Sequence, residues 1–137
     1  MDGKIMRSEK EWRAILTDEE FRILREKGTE APFAGKYWRH SDEGIYLCAG
    51  CGLPLFGSAE KFDSGSGWPS FSAPVNDDNI REMNDDSFGM VRTEVLCARC
   101  GGHLGHVFED ISAKTGLRYC INSAALLFEK DHADKLK

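Results

Sequence analysis

The N-terminal part of the chain carries apolar side chains at helical spacing. Two pairs, Ser8 with Glu11 and Thr17 with Glu20, match the capping box, in which each side chain bonds the backbone N–H of the other residue. The apolar positions that accompany these pairs are Trp12, Ile15, Leu16, Phe21 and Leu24. The pattern predicts a helical segment at about residues 8–28.

Beyond Pro32 the pattern changes to short apolar runs broken by Gly, Pro, Asn and Asp. Such runs predict strands, here at residues 37–38, 45–47, 90–96, 106–108 and 117–121. Polar clusters at residues 76–79 and 84–86 predict turns or loops. We therefore predict a single domain over residues 1–137, mainly β (α+β), with an antiparallel β core at about residues 35–128.

Composition and charge exclude several classes of protein. The chain is 41% hydrophobic and 30% charged, as in an ordinary globular protein. Eighteen Lys and Arg against 23 Asp and Glu give a net charge of −5, which disfavours binding to nucleic acid. No apolar run is long enough for a membrane span or a signal peptide, so we expect a cytoplasmic protein that does not bind membranes.

Five cysteines divide into two pairs and one single residue. The pairs are Cys48 with Cys51 and Cys97 with Cys100, and a glycine follows each pair. In such a C-x-x-C-G knuckle the glycine can take a positive φ, and four thiolates complete the tetrahedral set of a structural Zn²⁺. Residues 52–96 separate the pairs. One ion would therefore join two hairpins that are distant in sequence.

The cysteine pairs have two other interpretations. A thioredoxin-like dithiol belongs at a strand-to-helix junction of a βαβ unit, and the pattern predicts no such unit. A Cys₂His₂ site formed by Cys97, Cys100, His103 and His106 would leave the first cysteine pair without a partner site. The sequence favours one structural Zn²⁺ held by the four paired cysteines, with no catalytic role for the ion.

The single cysteine, Cys120, lies in a predicted strand between polar neighbours. Alternation places Arg118, Cys120 and Asn122 on one face of the strand. The opposite, core-facing set is Leu117, Tyr119 and Ile121. A guanidinium favours the reactive thiolate, whereas an inert cysteine is typically buried among apolar groups. The pattern favours Cys120 as a nucleophile.

Two further segments carry candidate chemistry. His103 and His106 lie in a glycine-rich stretch directly after the second knuckle, where imidazoles can exchange protons near neutral pH. Trp68 follows four small residues, so its indole can project into a cleft and receive a small apolar group such as a methyl. A core tryptophan behind a loop is the alternative interpretation of Trp68.

Taken together, these segments resemble the peptide methionine (R)-S-oxide reductases of the MsrB family. The resemblance covers nearly the whole chain from Glu11 onward. Its motifs are GKYW (35–38), GIYLCAGC (44–51), GWPSF (67–71), GGHLGHVF (101–108) and RYCINSA (118–124). The resemblance implies an antiparallel β-barrel or sandwich with N-terminal helices packed outside, and a structural zinc site at the paired cysteines.

The resemblance also implies roles for individual residues. Cys120 would attack the sulfur of methionine-R-sulfoxide and become a sulfenic acid. His103 and His106 would protonate the sulfoxide oxygen, and Asn122 would orient them. Arg118 would favour the thiolate. The side chains implied to receive the substrate methyl are Trp68 and Phe108.

One position departs from the family pattern. Many members carry a second, resolving cysteine in the Gly-x-Gly-Trp segment, where this chain has Ser66. We therefore expect an external thiol, namely thioredoxin, glutaredoxin or a small thiol, to reduce the sulfenic acid. The expected substrates are oxidised proteins or peptides, and the expected state is a monomer.

Two non-enzymatic functions stay open at this point. A zinc-clamped β domain can be a non-catalytic interaction module. Alternatively, Cys120 can act as a redox sensor that turns over no substrate. Reduction of one sulfoxide epimer, lost in a Cys120→Ser variant, would distinguish the enzyme from both.

Overall fold

Two short helices begin at the two capping boxes in the computed structural model, which describes residues 6–86 and 89–130. Helix α1 spans Glu9–Ile15 and helix α2 spans Asp18–Glu26. Ser8 and Thr17 are the N-cap residues, and both capping boxes are fully formed. The helices bury Trp12, Phe21, Ile23 and Leu24. Local side chain–backbone bonds start these helices, and burial of one apolar face holds them on the sheets.

Nine strands follow the helices in the described part of the chain. They are β1 (Gly44–Cys48), β2 (Pro54–Gly57), β3 (Lys61–Phe62), β4 (Ser70–Phe71), β5 (Ile80–Asp85), β6 (Arg92–Cys97), β7 (His103–Glu109), β8 (Leu117–Ile121) and β9 (Leu126–Lys130). Single-turn 3₁₀ helices lie at Ser58–Glu60, Asp77–Asn79 and Ser123–Ala125.

The strands form two antiparallel sheets. The smaller has the order β2-β1-β9, and the larger has the order β3-β4-β8-β7-β6-β5. This architecture confirms the predicted mainly β fold class with N-terminal helices. Within the described residues neither sheet closes on itself, so the sandwich form fits and a closed barrel does not.

Stacked aromatic rings join the two sheets. Phe56 on β2 stacks on Phe71 on β4, with ring centroids 4.6 Å apart and planes 18° apart. Tyr46 on β1 meets Phe71 edge-on at 5.2 Å, and Tyr119 on β8 lies 5.7 Å from Phe56. Each buried ring of this size contributes about 1.5–3 kcal/mol to stability. The core therefore fixes β8, which carries Cys120, and its neighbour β4.

Several local predictions were wrong. Residues 37–38, predicted as a strand, form turns. Tyr37 is a buried anchor there, because its hydroxyl accepts a hydrogen bond from the Phe128 N–H at 3.1 Å. Asn84 and Asp85, predicted as loop, end β5, a strand with one buried residue and hence no alternating pattern. Leu117 is 37% exposed and does not face the core.

Among residues 6–86 and 89–130, no helix has the length and hydropathy needed to cross a membrane.

Candidate active site and metal centre

Cys120 lies near the end of β8 and opens onto a cleft of about 200 Å³. The cleft is lined by Thr29, Trp68, Arg92, Gly105, His106, Phe108, Arg118, Cys120 and Asn122. Six of the seven side chains predicted for the active site and substrate pocket thus share one cavity. The exception is His103, which does not line it.

A guanidinium contacts the cysteine sulfur directly. Nη1 of Arg118 lies 2.8 Å from Sγ of Cys120, and Nε of Arg118 donates to Asp110 at 3.0 Å. The Arg118 guanidinium also packs 4.9 Å from the centroid of the Phe108 ring. Asp110 in turn accepts two bonds from Ser112, which together with Arg118 lower the pKa of its carboxyl. A charged carboxylate and a ring therefore fix the guanidinium with one N–H aimed at sulfur.

His106 is held by a carboxylate that the sequence did not indicate. Its Nε2 lies 2.7 Å from Oδ2 of Asp85, and Arg92 approaches the same oxygen at 3.5 Å. Asp85 pairs with Arg92 in the β5–β6 ladder, which places its carboxylate beside the cleft. Sequence patterning gave no signal here, because Asp85 lies in a polar cluster that predicted a loop.

His103 lies behind His106, inside the protein. It is 3% exposed, and its Nδ1 is 2.7 Å from Oε2 of the buried Glu94. Lys27 approaches the other Glu94 oxygen at 3.2 Å. Burial lowers the pKa of His103, although Glu94 acts in the opposite direction. The two histidine rings are 5.5 Å apart. A charged residue inside a predicted apolar strand was the available sequence signal for Glu94.

One backbone segment orients two side chains of the cleft. The N–H of Glu30 donates to Oδ1 of Asn122 at 3.0 Å, and its carbonyl accepts from Nε1 of Trp68 at 2.9 Å. The amide of Asn122 donates to the carbonyl of Leu104 at 3.1 Å. The Glu30 carboxylate is buried and accepts from the N–H of Ser123. Glu30 could not be predicted from the sequence, since its partners lie far along the chain.

The four paired cysteines converge at a second place. Their sulfur atoms all lie within 4.8 Å of one another, in residues that are buried or half-buried. Sγ of Cys48 is 3.6 Å from Sγ of Cys100, and Sγ of Cys51 is 3.5 Å from Sγ of Cys97. A tetrahedral Zn–S₄ site with bonds of ~2.3 Å has sulfur–sulfur edges of ~3.8 Å. The cluster could therefore hold a metal ion.

Each knuckle has the turn that its glycine permits. Gly52 and Gly101 have φ of 82° and 74°, a region that side chains with a Cβ rarely adopt. Their N–H groups close the turns onto the carbonyls of Cys48 and Cys97, at 2.8 and 2.9 Å. The first knuckle joins β1 to β2 and the second joins β6 to β7. The cluster thus links the two sheets, and β7 runs from it to the cleft.

Comparisons with known proteins agree with this geometry. Residues 16–130 match the SelR domain. The chain is 58% identical to the peptide methionine sulfoxide reductase MsrB of Thiobacillus denitrificans, over 89% of this chain and 92% of the relative. It is 54% identical to the MsrB of Herminiimonas arsenicoxydans over 94% of both chains, and 53% identical to that of Leptospira interrogans over 96% of this chain and 100% of the relative. The chain therefore belongs to the MsrB family of peptide methionine sulfoxide reductases.

Proposed function

We propose that this protein reduces methionine-R-sulfoxide in peptides and proteins to methionine, with Cys120 as the nucleophile. The observation that carries the proposal is the 2.8 Å contact between Arg118 and the Cys120 sulfur inside a cleft walled by aromatic rings. A thiolate attacks sulfur, and a guanidinium at this distance favours the thiolate over the thiol. The relatives are named peptide methionine sulfoxide reductases, which supports the same reaction.

The substrate methyl would lie against Trp68 and Phe108. Both rings line the cleft, and the Trp68 indole is anchored through its N–H to the Glu30 carbonyl at 2.9 Å. An anchored ring loses no freedom when a small apolar group packs on it. The sulfoxide sulfur would then face Cys120, since all three side chains share the cleft.

The reaction transfers one oxygen atom. The Cys120 thiolate bonds to the sulfoxide sulfur, whose oxygen takes up a proton. The oxygen then bonds to Sγ of Cys120 while the substrate sulfur loses its bonds to oxygen and to Sγ and keeps the electron pair. The products are methionine, reduced by two electrons, and a Cys120 sulfenic acid, which carries the oxygen. An external thiol then attacks the sulfenic sulfur and releases water, and a second thiol displaces Cys120 from the mixed disulfide.

His106 is the nearest candidate for the proton donor, because it lines the cleft. The Asp85 carboxylate can only accept, so Nε2 of His106 carries a proton and the other ring nitrogen, Nδ1, would face the reaction. Donation from Nδ1 requires the doubly protonated ring. His103 would influence the reaction through its neighbour His106. Asn122 would line the cleft, held in place by its hydrogen bonds to Glu30 and Leu104.

The four-cysteine cluster would hold one structural Zn²⁺. Four soft thiolates suit this ion, and thiolates so close together need a cation to offset their mutual repulsion. The residues that would bind it are Cys48, Cys51, Cys97 and Cys100. When bound, the ion supplies a cross-link between the two knuckles. We place no step of the reaction on it.

The decisive experiment uses both epimers of a blocked methionine sulfoxide with dithiothreitol. We expect methionine from the R epimer alone, and none from the Cys120→Ser variant. Failure to reduce either epimer would refute the proposal and favour a non-catalytic module.

The nature of the reductant has its own test. We propose that thioredoxin, glutaredoxin or a small thiol serves, because Ser66 replaces the second cysteine of the Gly-x-Gly-Trp segment. Mass spectrometry after one turnover without added thiol should find Cys120 outside any disulfide. A disulfide to another cysteine of the chain would contradict this. A cytoplasmic location and a monomeric state stay predictions, which cell fractionation and gel filtration can check.

A further inference from the structure

Three serine hydroxyls surround the Cys120 sulfur on the side of the loop between β3 and β4. Oγ of Ser66 and Oγ of Ser70 are each 3.8 Å from Sγ of Cys120, within hydrogen-bond range for sulfur. Oγ of Ser64 lies 2.8 Å from that of Ser66 and 2.7 Å from that of Ser70. The three hydroxyls and the sulfur therefore form one connected cluster.

The cluster is held by the sheet. Ser70 pairs directly opposite Cys120 in the β4–β8 ladder and is 0% exposed. Its hydroxyl also approaches the Trp68 carbonyl at 3.1 Å. Ser64 and Ser66 precede this strand in a turn where the Gly65 N–H bonds to the Asp63 carboxylate at 2.9 Å. Backbone pairing therefore positions the Ser70 hydroxyl, and the turn before β4 carries the other two.

The available hydrogens set the direction of donation along the series of serine hydroxyls. Ser66 Oγ accepts from the Ser64 hydroxyl at 2.8 Å and lies 3.4 Å from the Trp68 N–H, which uses its acceptor sites. Ser64 Oγ also accepts from the Ser66 N–H at 3.3 Å and keeps one site for the single hydrogen of Ser70 at 2.7 Å. The Trp68 carbonyl competes for that hydrogen at the longer distance of 3.1 Å. The hydrogen of Ser66 remains, and a thiolate at Cys120 is the strongest acceptor within its reach. The order is Ser70 to Ser64 to Ser66 to sulfur.

We propose that this hydroxyl chain donates a hydrogen bond to the Cys120 thiolate through Ser66, with Ser64 and Ser70 as positioning residues that polarise it. Hydrogen bonds in series strengthen one another, so the last donor gains from the two behind it. The chain adds a second donor to the sulfur that Arg118 already contacts. The contribution of these hydroxyls to sulfoxide reduction rests on the proposed function, whereas their hydrogen bond to the thiolate does not depend on that function.

The test measures alkylation of Cys120 by iodoacetamide at several pH values, read by mass spectrometry of the Cys120 peptide. Loss of one hydrogen bond to the thiolate predicts a rate about 3-fold to 10-fold lower at pH 7 for Ser66→Ala. We expect ~2-fold for Ser64→Ala, although Ser64 does not contact sulfur, and recovery in Ser66→Thr. The Ser64→Ala/Ser66→Ala double variant should match Ser66→Ala alone, because both remove the same donor.

A matched control is Ser72→Ala, a buried serine whose hydroxyl bonds to Glu60 at 2.5 Å and not to Cys120. It should alkylate at the unmodified rate. Equal rates for Ser66→Ala and the unmodified protein at every pH would overturn the proposal, as would strictly additive effects of the two serine variants. Alkylation needs no sulfoxide, so loss of reductase activity with an intact alkylation pattern would refute the proposed function alone.

Discussion

Replacing Arg118 by methionine tests the electrostatic basis of the site most directly. The change removes the N–H that lies 2.8 Å from the Cys120 sulfur and keeps an unbranched side chain over Phe108. At an effective dielectric constant of ~20, the attraction at this distance has a ceiling of about 6 kcal/mol. The net value of a hydrogen bond to a charged group is about 1.5–3 kcal/mol. At ~1.4 kcal/mol per factor of ten, we expect Cys120 to react about 10-fold to 100-fold more slowly.

The assay is the rate of Cys120 alkylation at pH 7, followed beside kcat/KM for methionine-R-sulfoxide. We expect both to fall by the same factor in Arg118→Met. The Arg118→Lys variant should fall less, because its ammonium keeps the charge but lacks the planar fork that bonds Asp110 through Nε and the sulfur through Nη1. Arg81→Met, at an exposed position of β5, serves as the control and should change neither quantity. An unchanged alkylation rate together with reduced kcat/KM would refute the reasoning, since Arg118 would then act on the substrate.

Three further predictions concern the pocket, the metal cluster and a buried acid. Trp68→Ala should lower kcat/KM by ~10-fold to 100-fold, because the substrate methyl loses apolar contact, and Trp68→Phe should lower it less. Equal losses in the two variants, measured by steady-state kinetics, would show that the ring does not pack on the substrate. Cys97→Ser should abolish bound zinc by elemental analysis and lower Tm by ~10 °C or more, and an unchanged Tm would exclude a structural metal. Burial raises the pKa of Glu30 above its usual 4.5. The contribution of Glu30 to the free energy of unfolding is therefore fully present below pH 4.5 and is lost as the pH rises through the raised pKa. Urea unfolding at pH 4 and pH 7 should therefore show a smaller pH difference in Glu30→Gln, and an identical difference would contradict this.

Features that depend on neighbouring residues could be predicted from the sequence. Both helices begin at their predicted capping boxes, because Ser8 and Thr17 bond within their own first turns. Strand β8 occupies the predicted residues Leu117–Ile121, since its polar and apolar side chains alternate. The pairing of cysteines into C-x-x-C-G knuckles is likewise local, because a positive φ at glycine closes each turn.

Features that depend on pairing between residues distant in the chain could not be predicted from the sequence. Asp85 reaches His106 only because β5 pairs with β6. The residues of β5 are mostly exposed and polar, so no alternation of apolar and polar positions predicts this strand. Glu94 turns inward against His103, and Glu30 meets Asn122 across most of the chain length.

The sequence by itself determined which side chains are candidates for the chemistry: one cysteine beside an arginine, two histidines, and four cysteines in two turns. Tertiary structure decided which of them lie together. It brought His106 into the cleft and left His103 behind it, supplied a carboxylate to each, and placed Ser70 opposite Cys120. The physical reason is that residue type sets reactivity, whereas distance and burial, which depend on strand order and register, set the partner of each group.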